Sequence, residues 1–181
     1  MQYNNQLILT GELNDVGSAV RVNIPDSYRR GLELTGAFQL MDNLLLKLNA
    51  TFSENKIAEF NEFIDNWDTG VKDSVNHKNT DIAFSPSIIA GSQLIFTPFK
   101  SLENGKLDLA LVTKYVGDQF IDNTSSEYAK LESYLVNDFT LSYTVKTKLF
   151  KEIVISSWVR NLFNQNYISN AWVYRFNTAG D

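Results

Sequence analysis

The stretch Ser27-Tyr28-Arg29-Arg30-Gly31-Leu32-Glu33-Leu34-Thr35-Gly36-Ala37-Phe38-Gln39-Leu40 decides the fold of this chain. Tyr28, Leu32, Leu34, Phe38 and Leu40 share one parity, while Arg29, Gly31, Glu33, Thr35, Ala37 and Gln39 share the other. Alternate side chains of a strand point to opposite faces, so the segment reads as a strand with one greasy side and one polar side. Residues 44–53 repeat the pattern, with Leu44, Leu46, Leu48, Ala50 and Phe52 opposed to Lys47, Asn49, Thr51 and Ser53. In 107–115, Leu107, Leu109, Leu111 and Tyr115 oppose Asp108, Ala110, Val112 and Lys114. In 135–145, Leu135, Phe139, Leu141, Tyr143 and Val145 oppose Asp138, Thr140, Ser142 and Thr144.

Segments 3–13, 87–96 and 152–163 alternate less cleanly, and an eighth strand is expected near Ile168. Pro25, Pro86 and Pro98 fall in connections or at segment ends, where a missing N–H costs no ladder bond. The whole reads as an all-β chain of antiparallel up-and-down strands. Connections after the second, fourth and sixth segments are short (41–43, 99–105 and 146–151), and those after the first, third and fifth are longer (12–26, 54–84 and 120–134). Alternation by itself is shared by soluble sandwiches, lipocalin-like barrels and membrane barrels. Short turns on one rim and long loops on the other are the habit of outer-membrane barrels. The segments are also as long as a tilted membrane strand, which needs about 9–11 residues.

Composition sets the remaining bounds. The 181 residues are 44% hydrophobic and 13% aromatic, enough for one ordinary domain and too apolar for disorder. A net charge of -5 argues against non-specific nucleic-acid binding, which needs clustered Lys and Arg. With no cysteine, disulfides, thiolate zinc sites and cysteine nucleophiles are excluded. The longest apolar runs are four residues, 109–112 and 171–174, far short of the roughly 20 that a spanning helix needs. Met1-Gln2-Tyr3-Asn4-Asn5 does not resemble a signal peptide.

Few residues carry chemistry. No phosphate-binding loop, nucleophile elbow or zinc-protease motif is present, and His77 is the only histidine. As the base of a hydrolase, His77 would need a Ser or Asp at about 2.6–3.2 Å; otherwise it is a solvated loop residue. Asp65-Asn66-Trp67-Asp68-Thr69-Gly70 resembles half of a calcium loop but lacks the ligand spacing and the closing Glu. Residues 54–81 hold seven acids and three bases, hence -4 of the chain's charge; they read as a loop kept soluble, or as an attractor of cations. Ile57, Phe60, Ile64 and Trp67 follow helical spacing, which fits either a short helix or a folded hairpin extension.

Five phrases in fixed order resemble the C-terminal part of TonB-dependent outer-membrane receptors, particularly of the type common in Bacteroidetes. They are Gly11-Glu12-Leu13-Asn14-Asp15-Val16-Gly17, Ser27-Tyr28-Arg29-Arg30-Gly31-Leu32-Glu33-Leu34 and Asn79-Thr80-Asp81-Ile82-Ala83-Phe84-Ser85-Pro86. Lys114-Tyr115-Val116-Gly117-Asp118-Gln119-Phe120 with Asp122-Asn123-Thr124, and Asn161-Leu162-Phe163-Asn164-Gln165-Asn166-Tyr167, complete the set. The resemblance implies a plug inside a transmembrane β-barrel of about 22 strands, of which this chain would supply about a third. It implies import of a scarce ligand, a ferric siderophore first, with haem, cobalamin or a glycan as further options. Residues 1–181 are then expected to be a fragment, the C-terminal segment of the barrel without plug or last strand. TonB would act through that missing plug, outer-membrane lipid would surround the wall, and no cofactor, metal, catalytic residue or nucleic acid would be involved. Alternation marks Arg29, Glu33, Lys47, Asn49, Lys114, Asp138 and Arg160 as candidate lumen-facing residues. The rival readings are an outer-membrane β-barrel enzyme using His77 and a soluble lipocalin-like binding module with its apolar face turned inward.

Overall fold

The alternation of residues 27–40 lies inside a much longer strand. In the computed structural model, which describes residues 1–13, 16–98 and 105–179, β2 runs Ala19–Met41 and follows β1 (Gln2–Leu13). β3 (Leu44–Asn66), β4 (Lys72–Asp81), β5 (Ile88–Phe96) and β6 (Gly105–Val116) come next. Two short strands, β7 (Gln119–Phe120) and β8 (Lys130–Leu131), pair with each other around the 3-10 turn Glu127–Ala129. β9 (Tyr134–Val145), β10 (Ile153–Val159) and β11 (Phe176–Asn177) complete the described elements. The wall is an antiparallel meander in the order β1-β2-β3-β5-β6-β9-β10. Among the described residues it does not close: β1 pairs only with β2, and β10 only with β9.

Register turns the parity of each segment into two faces. Leu34, Ala50, Ala90, Tyr115 and Leu135 form one cross-strand row, and Thr35, Asn49, Gly91, Lys114 and Val136 form the next. A slip of one residue in any strand would mix the faces, and through these rows none occurs; the irregularities lie at the strand ends, at Leu9–Leu13 of β1 and Gln39–Met41 of β2. The apolar face is uncovered: Leu32, Leu34, Phe38 and Leu40 are each more than half exposed. A soluble lipocalin-like barrel closes and packs that face inward; here, among the described residues, the sheet does not close and nothing covers the face.

The apolar band climbs across the strands. Gly36, midway along the apolar run of β2, is linked through Leu48, Ser92 and Thr113 to Asn137, whereas the apolar run of β9 centres near Leu141. Four residues along the strand are about 13 Å and four strand spacings about 19 Å, a slope of about 35°. A band lying flat in a bilayer therefore requires strands tilted by that angle, within the range of about 35–45° for membrane barrels.

Several sequence expectations are corrected. The connection 12–26 is not a long loop, because β1 reaches Leu13 and β2 begins at Ala19. Val20, Val22 and Ile24 already alternate, and Ile24 joins Ile8 in the core. The stretch 54–84 is the folded hairpin extension rather than a helix: β3 continues to Asn66 and pairs with β4 from Lys56↔Asp81 to Asp65↔Lys72. No strand forms near Ile168. Asn161 and Asn164 take left-handed φ values of 49° and 51°, and the Asn161 side chain accepts from Gln165 N and donates to Gln165 O. That bracket ends the last segment, which is regular only over Ile153–Val159. Of the short connection 99–105, residues 99–104 lie outside the described residues.

The two clusters of core residues lie at the long-connection rim rather than in the wall. Ile8, Ile24, Ile57, Phe60 and Ile82 form one cluster. Ile121, Ala129 and Leu131 form another, with Ala171 and Val173 packed on it. Among the described residues no helix is long and apolar enough to cross a membrane.

Candidate functional site

Strand parity places all seven candidate residues on the polar side of the wall. Arg29 lies opposite Asn55, Glu33 opposite Thr51, and Lys47 between Ala37 and Gln93. Asn49 pairs with Thr35 and Gly91, and Lys114 with Gly91 and Val136. Asp138 lies opposite Val112, and Arg160 directly follows β10.

Their partners divide them into two groups. Arg29 donates from Nη1 to Ser85 Oγ at 3.0 Å and to Asn55 Oδ1 at 3.4 Å, which ties β2 to the segment before β5. Asp138 Oδ1 accepts from Asn161 N at 2.8 Å, and the Arg160 guanidinium lies 5.2 Å from the Trp158 ring centre. These three are engaged in structure. The side chains of Glu33, Lys47, Asn49 and Lys114 have no hydrogen bond or ion pair among the described residues, so they offer their polar groups to whatever fills the space before the wall.

That space is a hollow of about 920 Å³ reaching from Thr35 on β2 to Trp158 near the end of β10. Lys47, Asn49, Gln93, Lys114, Thr140 and Trp158 supply its functional groups, and no Asp or Glu lines it. In a chain of net charge -5, two lysines with no acid beside them in the hollow favour an anion there. Gly91 makes room for it. A Cβ there would approach the Asn49 amide to 3.1 Å, so the glycine lets that amide rest against the wall. A second hollow, nearer the short-turn rim, shares Lys47, Gln93 and Thr140 but holds Asp42 and the Lys106–Asp108 pair at 2.8 Å.

The long-connection rim carries the denser chemistry. Glu62, on the hairpin, accepts from Arg175 Nη1 at 2.6 Å through Oε1, and its Oε2 is 2.8 Å from His77 Nε2. Arg175 Nη2 meets Asp122 Oδ2 at 2.6 Å. His77 stacks on Phe60 with ring centres 5.2 Å apart. Its carboxylate partner is thus Glu62, not the Ser or Asp a hydrolase would require, and its role is to hold the hairpin. The half calcium loop is a hairpin turn in which Asn66 Oδ1 accepts from the backbone N–H groups of Asp68 and Thr69. No cluster of three metal-ligating side chains occurs among the described residues.

Sequence reasoning missed Gln93, Trp158 and the Arg175 cluster. Trp158 shares parity with Arg160, and Gln93 breaks the apolar run of β5, so both had a local signal. Glu62 and Arg175 are 113 residues apart, and nothing local connects them.

Two comparisons bear on this geometry. A family model described as TonB dependent receptor-like, beta-barrel matches residues 1–162. No curated protein matches the chain.

Proposed function

The chain belongs to the TonB-dependent receptor β-barrel family, and on that premise we propose that residues 1–181 are the C-terminal segment of a receptor barrel whose polar face lines the route of an anionic ligand. The family's members are transporters of the bacterial outer membrane, not enzymes, and they work with TonB and a small ligand. The protein is accordingly part of an outer-membrane transport wall.

Its own residues do three things in that role. The exposed leucines and aromatics of one face match lipid, where outward charge costs about 2–4 kcal/mol at the midplane. The free edges of β1 and β10 call for further strands, because each unpaired backbone group in a bilayer costs several kcal/mol. The polar face, with Glu33, Lys47, Asn49 and Lys114 unengaged, is turned to the plug and the ligand.

The observation that carries the ligand reading is the acid-free hollow holding Lys47 and Lys114. A ferric siderophore with anionic oxygen donors suits it better than a neutral glycan; haem and cobalamin remain within the same class of import. Uptake of labelled ferric siderophore, haem, cobalamin and oligosaccharide by cells with and without the intact receptor tests this. Receptor-dependent siderophore uptake that falls in the Lys47→Glu/Lys114→Glu variant is the expected result. Uptake confined to a neutral oligosaccharide, unchanged by that variant, would overturn it.

A further inference from the structure

After β10 the chain turns back along the long-connection rim and returns to the tip of the hairpin. Phe176 and Asn177 pair in parallel with Asp65 and Asn66, on the edge of β3 that β4 leaves free. On the way, Ala171 and Val173 cover Ile121, Ala129 and Leu131 of the connection between β6 and β9. Phe176 stacks on Trp67 with ring centres 4.3 Å apart. The Tyr174 hydroxyl donates to Asp65 at 2.7 Å, and Asn177 Nδ2 to Asp73 at 2.7 Å.

Arg175 is the one residue of this segment that holds both neighbours at once. Its two terminal nitrogens reach Glu62 on the hairpin and Asp122 on the β6–β9 connection, each at 2.6 Å, and Nη2 also donates to Thr124 Oγ1 at 3.1 Å. Both carboxylates are largely buried, so removal of the guanidinium takes from each the cation they share. Packing, not parity, shows on which side this happens. Ile57 continues the polar face of Lys47 and Asn49, and Phe60 packs with Ile57 in one cluster. Phe60 stacks on His77, whose Nε2 lies 2.8 Å from Glu62, so Glu62 and the segment bound to it sit with that cluster, on the side of the hollow.

We propose that residues 171–177 are a strap drawn across the outer mouth of the transport route, and that Arg175 is its latch. With Arg175 on both carboxylates, the hairpin and the β6–β9 connection are held together and the mouth is narrowed. When Arg175 leaves them, the strap lifts and the two loops separate. The latch rests on the geometry alone; its purpose as a gate rests on the transport reading above.

The described chain has no native cysteine, so reporters can be placed in the full receptor, freed of any other cysteine, in intact cells. Ala129, 1% exposed beneath the strap, becomes the reporter as Ala129→Cys, labelled by a membrane-impermeant methanethiosulfonate. Arg175→Ala is expected to raise the labelling rate by roughly tenfold or more, as loss of one partner of a buried charge pair requires. Arg175→Lys, which cannot reach both acids, takes an intermediate rate. Adding an Asn66→Cys/Asn177→Cys disulfide to Arg175→Ala returns the slow rate, and reductant removes the rescue. That rescue separates a lifted strap from a misfolded loop. Equal labelling in Arg175→Ala and the parent, or no slowing by the disulfide, would overturn the latch. In the receptor with native Arg175, ferric-siderophore uptake should stop when the disulfide is closed and return on reduction; undiminished uptake through the closed form would overturn the gate. Absence of uptake in every strain would count against the transport reading, while the labelling rates still decide the latch.

Discussion

Leu94 on β5 and Leu111 on β6 stand directly opposite each other, and Phe139 on β9 continues their row across the apolar face. No polar side chain interrupts that row from Phe38 and Leu46 onward to Val159. It is therefore the part of the wall least able to tolerate charge. Leu111→Arg in the complete receptor is expected to cost about 2–4 kcal/mol if the row lies near the midplane. Denaturant titration of receptor folded into vesicles measures it.

The two faces can be told apart by single cysteines. At Glu33, Lys47, Lys114 and Thr140 a water-soluble thiol reagent should react in detergent-free membranes, whereas Leu34, Leu46 and Leu141 should stay protected by lipid. Reaction at the leucine positions alone would reverse the facing.

Gly31 lies opposite Ser53, and a Cβ added there would run into the Phe52 carbonyl oxygen and come within 3.1 Å of Ser53 Cα. Both are backbone atoms of a paired strand and cannot swing aside. Gly31→Ala should destabilise the β2–β3 pairing by about 1–3 kcal/mol, the usual cost of overpacking. The folded fraction, read from gel mobility before and after heating, should drop. Gly70→Ala is the informative contrast: its φ of 67° strains the hairpin tip but touches no neighbour, so the wall should assemble normally.

Sidedness has a proteolytic signature. Exposed loop tips are the preferred places for nicking, and pairing protects the strands beside them. Protease added to intact cells is expected to cut in the 67–71 turn and within 120–134, while most of 54–66 and 72–81 resists. Cutting confined to 99–104 would invert the topology.

Asp118 gives a pH dependence with a definite sign. The Ser133 backbone N–H donated to its carboxylate, aided by Lys130, holds its pKa below the ordinary carboxylate value, against the opposing pull of partial burial. A depressed folded value means that the tie is fully present above the unfolded pKa and is lost as pH falls through the folded one. Protection of the Ser133 amide, the ratio of its intrinsic to its observed exchange rate, should therefore fall as pH drops below the ordinary carboxylate range. Asp118→Asn should remove that pH-dependent component.

The sequence by itself determined the faces of this protein. Period two is a property of the single strand, so Leu34 and Glu33 were assigned to opposite sides before any neighbour was known. The seven polar positions chosen by parity fall on one face because pairing without slippage preserves parity from strand to strand. What each of those side chains meets was not legible: Arg29 finds Ser85 and Asp138 finds Asn161 N, while Lys47 and Lys114 find neither, and these outcomes depend on other strands.

Only the tertiary structure decided how far the strands run and what closes their upper ends. Ile57, Phe60, Ile64 and Trp67 have a spacing that suits a helix, yet β4 pairs with the backbone alongside Ile57, Phe60 and Ile64, and the hairpin wins. Val20 and Val22 looked like loop until β1 paired beside them. The Arg175 latch was invisible for the same reason. Its charge is local, but the two carboxylates that fix it lie on elements folded back from distant parts of the chain, and only their packing at the rim brings the three together.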